Sequence, residues 1–386
     1  MNGQVARLPF TSAALRYREN FFTRSALTIG AAAQDVSPPG GAIKSYGYLR
    51  RLLIVVTGAG GSGGTLAADG PFNFFSQISV TQPNGEEMFG GPTFTGYHAL
   101  LAAEHAGWKG VDNPTIKPSY TAAAPNFRFV LPVVFEMDAE KGVGSLPNQD
   151  FSAPWKLQLT AGTATQLWQT APTTAPTFTV EVYLDAWTVP SPINALNPNV
   201  QQETAPPLLG SLNKWTIQQY SVPGGSLFNV LLQRKGNAIR NLVFALRNSS
   251  GARIALTNYP KPIAVRWDGT VVRSNDDPLL WVDDEYETRG GEASSTPTTP
   301  RTGVTALQMS DMAGIDVQGA AEAFGMGSFW GTVQSSTLEL GGTWGATASV
   351  LEVLTNDVQF VDLAGNPYAF AYGGYLQAPA QAGARP

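Results

Sequence analysis

The sequence predicts an all-β chain in which one eight-stranded plan is laid down twice. Three observations predict it. Apolar and polar residues alternate over several short runs, and similar runs recur in the same order in the second half. Turn formers are dense, with 41 glycines and 28 prolines in 386 residues, so strands are short and loops many.

The first strand, LLIVV (52–56), runs into TGAGGSGGTLAADG, where Gly58, Gly60 and Gly63 have G-x-G-x-x-G spacing. A dinucleotide grip also needs a long helix to receive the pyrophosphate at its N-terminus. Here Pro71 and FNFF follow within two turns, and the nearest acids, Glu86 and Glu87, sit in a turn. There is no G-K-[ST] either, so the motif predicts a glycine-rich loop. ISVTQPNG (78–85) is a strand closed by a glycine turn, and GYHALLAAEHAGW (96–108) is compatible with a helix. FRFVLPVVFEM puts Phe127, Phe129, Leu131, Val133, Phe135 and Met137 on one face. Pro132 marks it as an edge or bulged strand. In WKLQL, Trp155, Leu157 and Leu159 point inward. TFTVEVYLDAWTV sets Phe178, Val180, Val182 and Leu184 against Glu181, Tyr183, Asp185 and Trp187. Such alternation belongs to half-buried antiparallel strands, not to a doubly wound parallel sheet.

The second half repeats these signals. FALRNSSG (244–251) matches ISVTQPNG, 277–291 offers a second helix-compatible segment, STLELGG (336–342) echoes WKLQLTAG (155–162), and 346–360 corresponds to 178–189. Segments 261–273 and 303–310 are weakly patterned; 138–154 and 291–303 read as loops. Eight short strands with one helical excursion suit a jelly roll, two four-stranded sheets packed face to face. The expected organisation is a basic N-terminal arm (1–44), two consecutive eight-stranded jelly-roll barrels (45–204 and 205–365) joined through NPNVQQETAPPLLG (197–210), and a C-terminal tail (366–386).

Composition narrows function. Charged residues are 14% of the chain, against roughly 25% in an average soluble domain. A surface that poor in charge suits burial against copies of itself. There is no cysteine, which removes disulfides and thiolate chemistry, and the only histidines are His98 and His105. Two imidazoles two helical turns apart, with no third ligand, do not make a zinc site. The acidic run Asp276, Asp277, Asp283, Asp284, Glu285, Glu287 lacks the ligand spacing of a calcium loop. Asp276 or Asp277 before Pro278 reads as a helix cap. No G-x-S-x-G occurs. No catalytic residue, metal ligand, cofactor or small-molecule substrate is expected. Neither an eighteen-residue apolar run nor a signal peptide is read in the sequence.

Charge is uneven. Residues 1–51 hold Arg7, Arg16, Arg18, Arg24, Lys44, Arg50 and Arg51 against Glu19 and Asp35, a net +5, so the rest carries −10 of the whole-chain −5. A basic segment on an acidic body faces phosphate or packs on an acidic neighbour, and the sequence leaves both open.

LRRLLIVVTG, the glycine loop, PFNFFSQISVTQPNGEEMF and the GYHALL segment, in that order, resemble the first barrel of double jelly-roll major capsid proteins. These come from tailless, icosahedral, membrane-containing double-stranded DNA bacteriophages, the tectivirus-like group. The resemblance spans roughly residues 45–365 and rests on element order more than on a motif. It implies a structural protein without catalysis, located in the virion and assembled in the host cytoplasm. Three chains would make a pseudo-hexagonal homotrimer that tiles a shell over an internal membrane. Minor capsid and vertex proteins would be further partners, with no sequence-specific nucleic-acid contact. The N-terminal arm would run toward the membrane or a neighbouring subunit, with Arg16, Arg18 and Arg24 pairing phosphates beside Phe21 and Phe22. Tyr183, Trp187, Trp168, Phe329 and Trp330 are the candidates for subunit interfaces. Two other classes compete. A trimeric spike or glycan- or receptor-binding β-sandwich would expose an aromatic platform, and a carbohydrate-active enzyme would set two carboxylates in a tryptophan-lined groove.

Overall fold

The computed structural model describes residues 7–91, 93–106, 108, 127–137, 141–193, 200–207, 209–232, 238–275, 277, 280, 303–308, 330–331 and 337–359. They fall into two compact units that divide after Lys214, within the strand Leu212–Val222.

In the first unit, β1 (Arg7–Leu8), β2 (Arg16–Leu27), β3 (Gln34–Asp35), β4 (Tyr48–Ala59), β5 (Thr65–Leu66), β6 (Phe75–Thr81) and β7 (Glu87–Gly90) precede helix α1 (Gly96–His105). After it come β8 (Phe127–Val134), β9 (Leu146–Pro147), β10 (Lys156–Ala161), a single helical turn α2 (Ala164–Leu167), β11 (Trp168–Thr170), β12 (Thr177–Trp187) and β13 (Gln201–Gln202). Two larger runs of strands result, β2-β12-β4-β8 and β3-β10-β6-β7, with β9 added to β4, besides the two-stranded pairs β1-β13 and β5-β11. Rings lock them together. Phe74, just before β6, lies 5.0 Å from Phe178 of β12 and 6.5 Å from Phe129 of β8. Phe72 stands 5.3 Å from Phe129.

The second unit has β14 (Leu212–Val222), β15 (Leu227–Leu231), β16 (Ala238–Arg247), β17 (Ile263–Trp267), β18 (Thr270–Asn275), β19 (Val304–Gln308), β20 (Trp330–Gly331), β21 (Leu338–Thr343) and β22 (Ser349–Gln359). Its sheets run β14-β22-β16-β19, with β20 on β16, and β15-β21-β17-β18. One apolar cluster joins them: Phe244, Leu351 and Val353 from the first sheet with Val230, Val265 and Leu340 from the second.

Setting aside β1, β5, β9, β11, β13 and β20, and keeping the two-residue β3 that ends its sheet beside β10, each unit has eight strands, and their order is the same. One sheet runs first-eighth-third-sixth and the other second-seventh-fourth-fifth. Two expectations need correction. Among the described residues no hydrogen-bonded pairing closes either unit into a barrel; each is two open sheets facing one another. The match of ISVTQPNG with FALRNSSG is also off by one strand. β6 is fourth in its unit and β16 third, so the counterpart of β16 is β4. WKLQL and STLEL do share the seventh position, and β12 and β22 the eighth.

The glycine loop has a packing reason. β4 continues through Gly58, which pairs with Phe127 and Phe178, and a Cβ there would stand 2.8 Å from the Phe127 ring. Gly60 and Gly63 then turn the chain at φ +72° and +68°, which side-chain-bearing residues avoid. The return strand β5 pairs with β11, and only a single 3-10 turn, Phe72–Phe74, separates it from β6. Helix α1 is buried along its whole length. His98 accepts a hydrogen bond at Nδ1 from the Thr95 backbone N–H (3.0 Å) as half of a capping box, and His105 Nδ1 meets the Leu101 carbonyl at 2.7 Å. Both histidines therefore have structural roles. Most of the helix-compatible segment 277–291 and all of the tail 366–386 lie outside the described residues.

Candidate functional site

The segment expected as an N-terminal arm is in large part a strand. Residues Arg16–Leu27 form β2 and pair antiparallel with β12 along nearly its whole length. Phe21 and Phe22 are half-buried, and Arg16, Arg18 and Arg24 are exposed. The basic excess meets acids of its own chain.

A β-bulge organises this. Asp185 of β12 pairs with Arg51 and Ala186 with Leu49, so Arg50 is the extra residue on β4. Consecutive strand residues normally point to opposite faces, but the bulge turns both arginines toward one carboxylate. Arg50 Nη1 lies 3.2 Å from Asp185 Oδ1, and Arg51 Nε donates to Oδ2 at 2.9 Å. Arg18 Nη2 adds a third contact at 3.0 Å. Arg50 also pairs with Glu136, Nη2 to Oε2, at 2.7 Å. The other Glu136 oxygen accepts from Trp187 Nε1 at 2.6 Å and from Ser145 Oγ at 3.1 Å. Burial alone would push the Asp185 carboxyl up. Hydrogen bonds from Arg18 and Arg51 and the charges of Arg51 and Arg50 more than offset it and hold Asp185 below the ordinary carboxylate range.

Residues 7–15 cover this cluster. β1 pairs in parallel with β13, and Gln202 Nε2 donates to the Pro9 carbonyl at 2.7 Å. Phe10 is thereby pressed edge-on against Tyr48 (5.4 Å) and Trp187 (6.1 Å). Two guanidiniums lie over the Trp187 ring, Arg50 4.6 Å and Arg16 5.2 Å from its centre. At the edge of this cover Leu15, Val189 and Ile193 are 69%, 48% and 56% exposed. Leu15 and Thr188 hold the two segments together through Thr188 N–H to the Leu15 carbonyl (2.9 Å).

The interface candidates separate accordingly. Trp187 and Trp168 are buried in their own chain, so neither is available to anchor a neighbour. Alternation placed Trp187 outward; its face is covered by Phe10 instead. Tyr183 is half-buried on β12. Trp330 lies on β20, and Phe329 is outside the described residues. The network of Arg50, Glu136 and Asp185 escaped the sequence reading, although the adjacent Arg50-Arg51 pair was the one signal that could have found it. Among the described residues no group of three or more His, Asp or Glu could hold a metal ion, and no helix is long and apolar enough to cross a membrane. Most of the acidic run 276–287 lies outside those residues.

No family model and no curated protein matches the sequence. Solved structures do match. The Sulfolobus Turreted Icosahedral Virus structure aligns with a TM-score of 0.56 at 12% identity, covering 95% of this chain and 97% of that one. The crystal structure of the STIV MCP gives 0.55 at 11%, covering 89% and 96%. The PBCV-1 virus capsid gives 0.52 at 11%, covering 89% and 94%. With one strand order used twice and a match over nearly the full length, the chain shares the β-rich fold of the double jelly-roll major capsid proteins of membrane-containing, tailless icosahedral double-stranded DNA viruses.

Proposed function

We propose that this chain is the major capsid protein of such a virus: a building block of the shell, located in the virion, and not an enzyme. One observation carries the reading. The same eight-strand order occurs in both units, and the whole arrangement aligns with solved capsid structures over most of both chains. Each unit is then one jelly roll, and three chains present six of them around a pseudo-hexagonal capsomer. Low charge content supports a surface made for contact with other copies. Size-exclusion chromatography with light scattering should give about three times the chain mass of 41.0 kDa, and negative-stain microscopy a near-hexagonal outline. A monodisperse monomer at high concentration would count against the capsomer, and a soluble trimer that never forms lattices would favour a spike.

In this reading the end of the first unit built by residues 8–16 and 187–193 faces the internal membrane. Exposed Leu15, Val189 and Ile193 beside the exposed Arg16 and Arg18 support it, because apolar side chains rimmed by guanidiniums suit an anionic lipid surface. A basic residue at such a surface contributes about 1 kcal/mol. Arg16→Ala and Arg18→Ala should each weaken co-flotation with anionic vesicles, by up to about fivefold. Equal binding of wild type and Arg16→Ala would assign this end to a neighbouring subunit.

A further inference from the structure

Among the described residues, strand β15, LFNVL, lies at the edge of the sheet β15-β21-β17-β18. An edge strand presents unpaired backbone N–H and C=O groups, and proteins ordinarily blunt it with charge, proline, a bulge or brevity. The first unit does so. Its second strand, β3, is only Gln34 and Asp35, and Pro38 and Pro39 follow closely. Within its own five residues β15 has none of these devices. It pairs with β21 over its full length without a register shift, and it holds neither charge nor proline. Leu227 is 74%, Leu231 55% and Phe228 36% exposed. Val230 is buried in the core, so Leu227, Asn229 and Leu231 share the outer face. Asn229 is fixed there, accepting from Arg266 Nη1 at 2.9 Å and donating to Glu339 Oε2 at 3.4 Å.

We infer that β15 pairs antiparallel with β15 of a second copy of the chain, across a two-fold axis at Asn229. The occupant follows from the strand itself, which reads nearly the same in both directions. Antiparallel pairing about Asn229 sets Leu227 against Leu231 of the second copy, Phe228 against its Val230, and Asn229 against its Asn229. Apolar side chains meet apolar ones, no like charges are opposed, and each copy supplies the same patch, as a two-fold contact requires. Five residues a side is far below the roughly 20–30 of a standard interface. The contact is therefore weak alone and suited to a shell, where many copies engage together. To that extent it rests on the proposed function.

The absence of cysteine from the chain makes the test clean. Directly opposed residues in an antiparallel pair have Cα atoms about 4.5–5.5 Å apart, within disulfide range. Full-length Asn229→Cys should cross-link to a dimer under mild oxidation at least tenfold faster than Ser249→Cys, a control in an exposed turn. Leu227→Cys should stay largely uncrosslinked alone and form heterodimers when mixed with Leu231→Cys. A double Leu227→Lys, Leu231→Lys variant should lose the contact and regain it only with a Leu227→Glu, Leu231→Glu copy. Asn229→Cys reacting no faster than Ser249→Cys, or Leu227→Cys dimerising as readily alone as in the mixture, overturns the pairing. If capsomers still form while Asn229→Cys stays reduced, only this inference fails; a chain that never self-associates removes the capsid reading as well.

Discussion

Asp185→Ala should destabilise the chain by about 3–5 kcal/mol, the cost of breaking a buried ion pair by removing one partner. Asp185 is 2% exposed and answers three guanidiniums at once. Without it, Arg50 keeps Glu136, but Arg51 loses its carboxylate partner and Arg18 swings to water. The loss also reaches the N-terminal cover, since Arg50 supports the ring of Trp187 on which Phe10 rests. Urea unfolding of wild type and variant measures the difference. A pH series adds a sign. The folded carboxyl titrates below its ordinary value, so its stabilisation is complete above the unfolded pKa near 3.9 and is lost as pH falls through the lower folded value. Wild-type stability should therefore drop below about pH 4, with a contribution of up to about 1.4 kcal/mol per pH unit from this one proton. Asp185→Asn should flatten that part of the curve. An unchanged acid limb would mean that Asp185 has no special place in the network.

Much of the fold was legible because alternation reports burial directly. Trp155, Leu157 and Leu159, and Phe178, Val180, Val182 and Leu184 on β12, all face the core as their spacing predicts. The pattern fails at Asp185 and Trp187, and the failure is physical. A period of two separates two faces only while one of them stays wet. There the bulge at Arg50 reorients the pair, and residues 7–15, distant in sequence, dry out the second face. A strand pattern also cannot say which place the strand takes in a sheet, hence the pairing of β16 with β6 instead of β4. Net charge failed in a related way. It counted the arginines near the N-terminus without showing that Asp185 and Glu136, more than 80 positions on, would neutralise several of them. Of the candidate site, the composition was readable and the partners were not.

Phe129→Ala should cost about 3–5 kcal/mol, the usual range for removing a buried phenyl ring. The residue is fully buried on β8, stacked 6.1 Å from Phe127 on its own strand and edge-on to Phe72 at 5.3 Å from the facing layer. Phe74 and Phe178 continue the same ring cluster across to β12. Removing one ring therefore loses area and several edge contacts, each worth roughly 0.5–1.5 kcal/mol beyond burial. The cavity would open between sheets that are not hydrogen-bonded to one another. Among the described residues no strand pairing joins these two sheets, so they would have to approach each other to refill it. Phe129→Leu keeps most of the apolar volume and should lose much less. Phe151→Ala is the control: that ring is 86% exposed, and its loss should stay within about 0.5 kcal/mol. If chemical denaturation ranks Phe151→Ala with Phe129→Ala, the two layers are not held together by these rings, and the sandwich on which the capsid reading depends loses its mechanical basis.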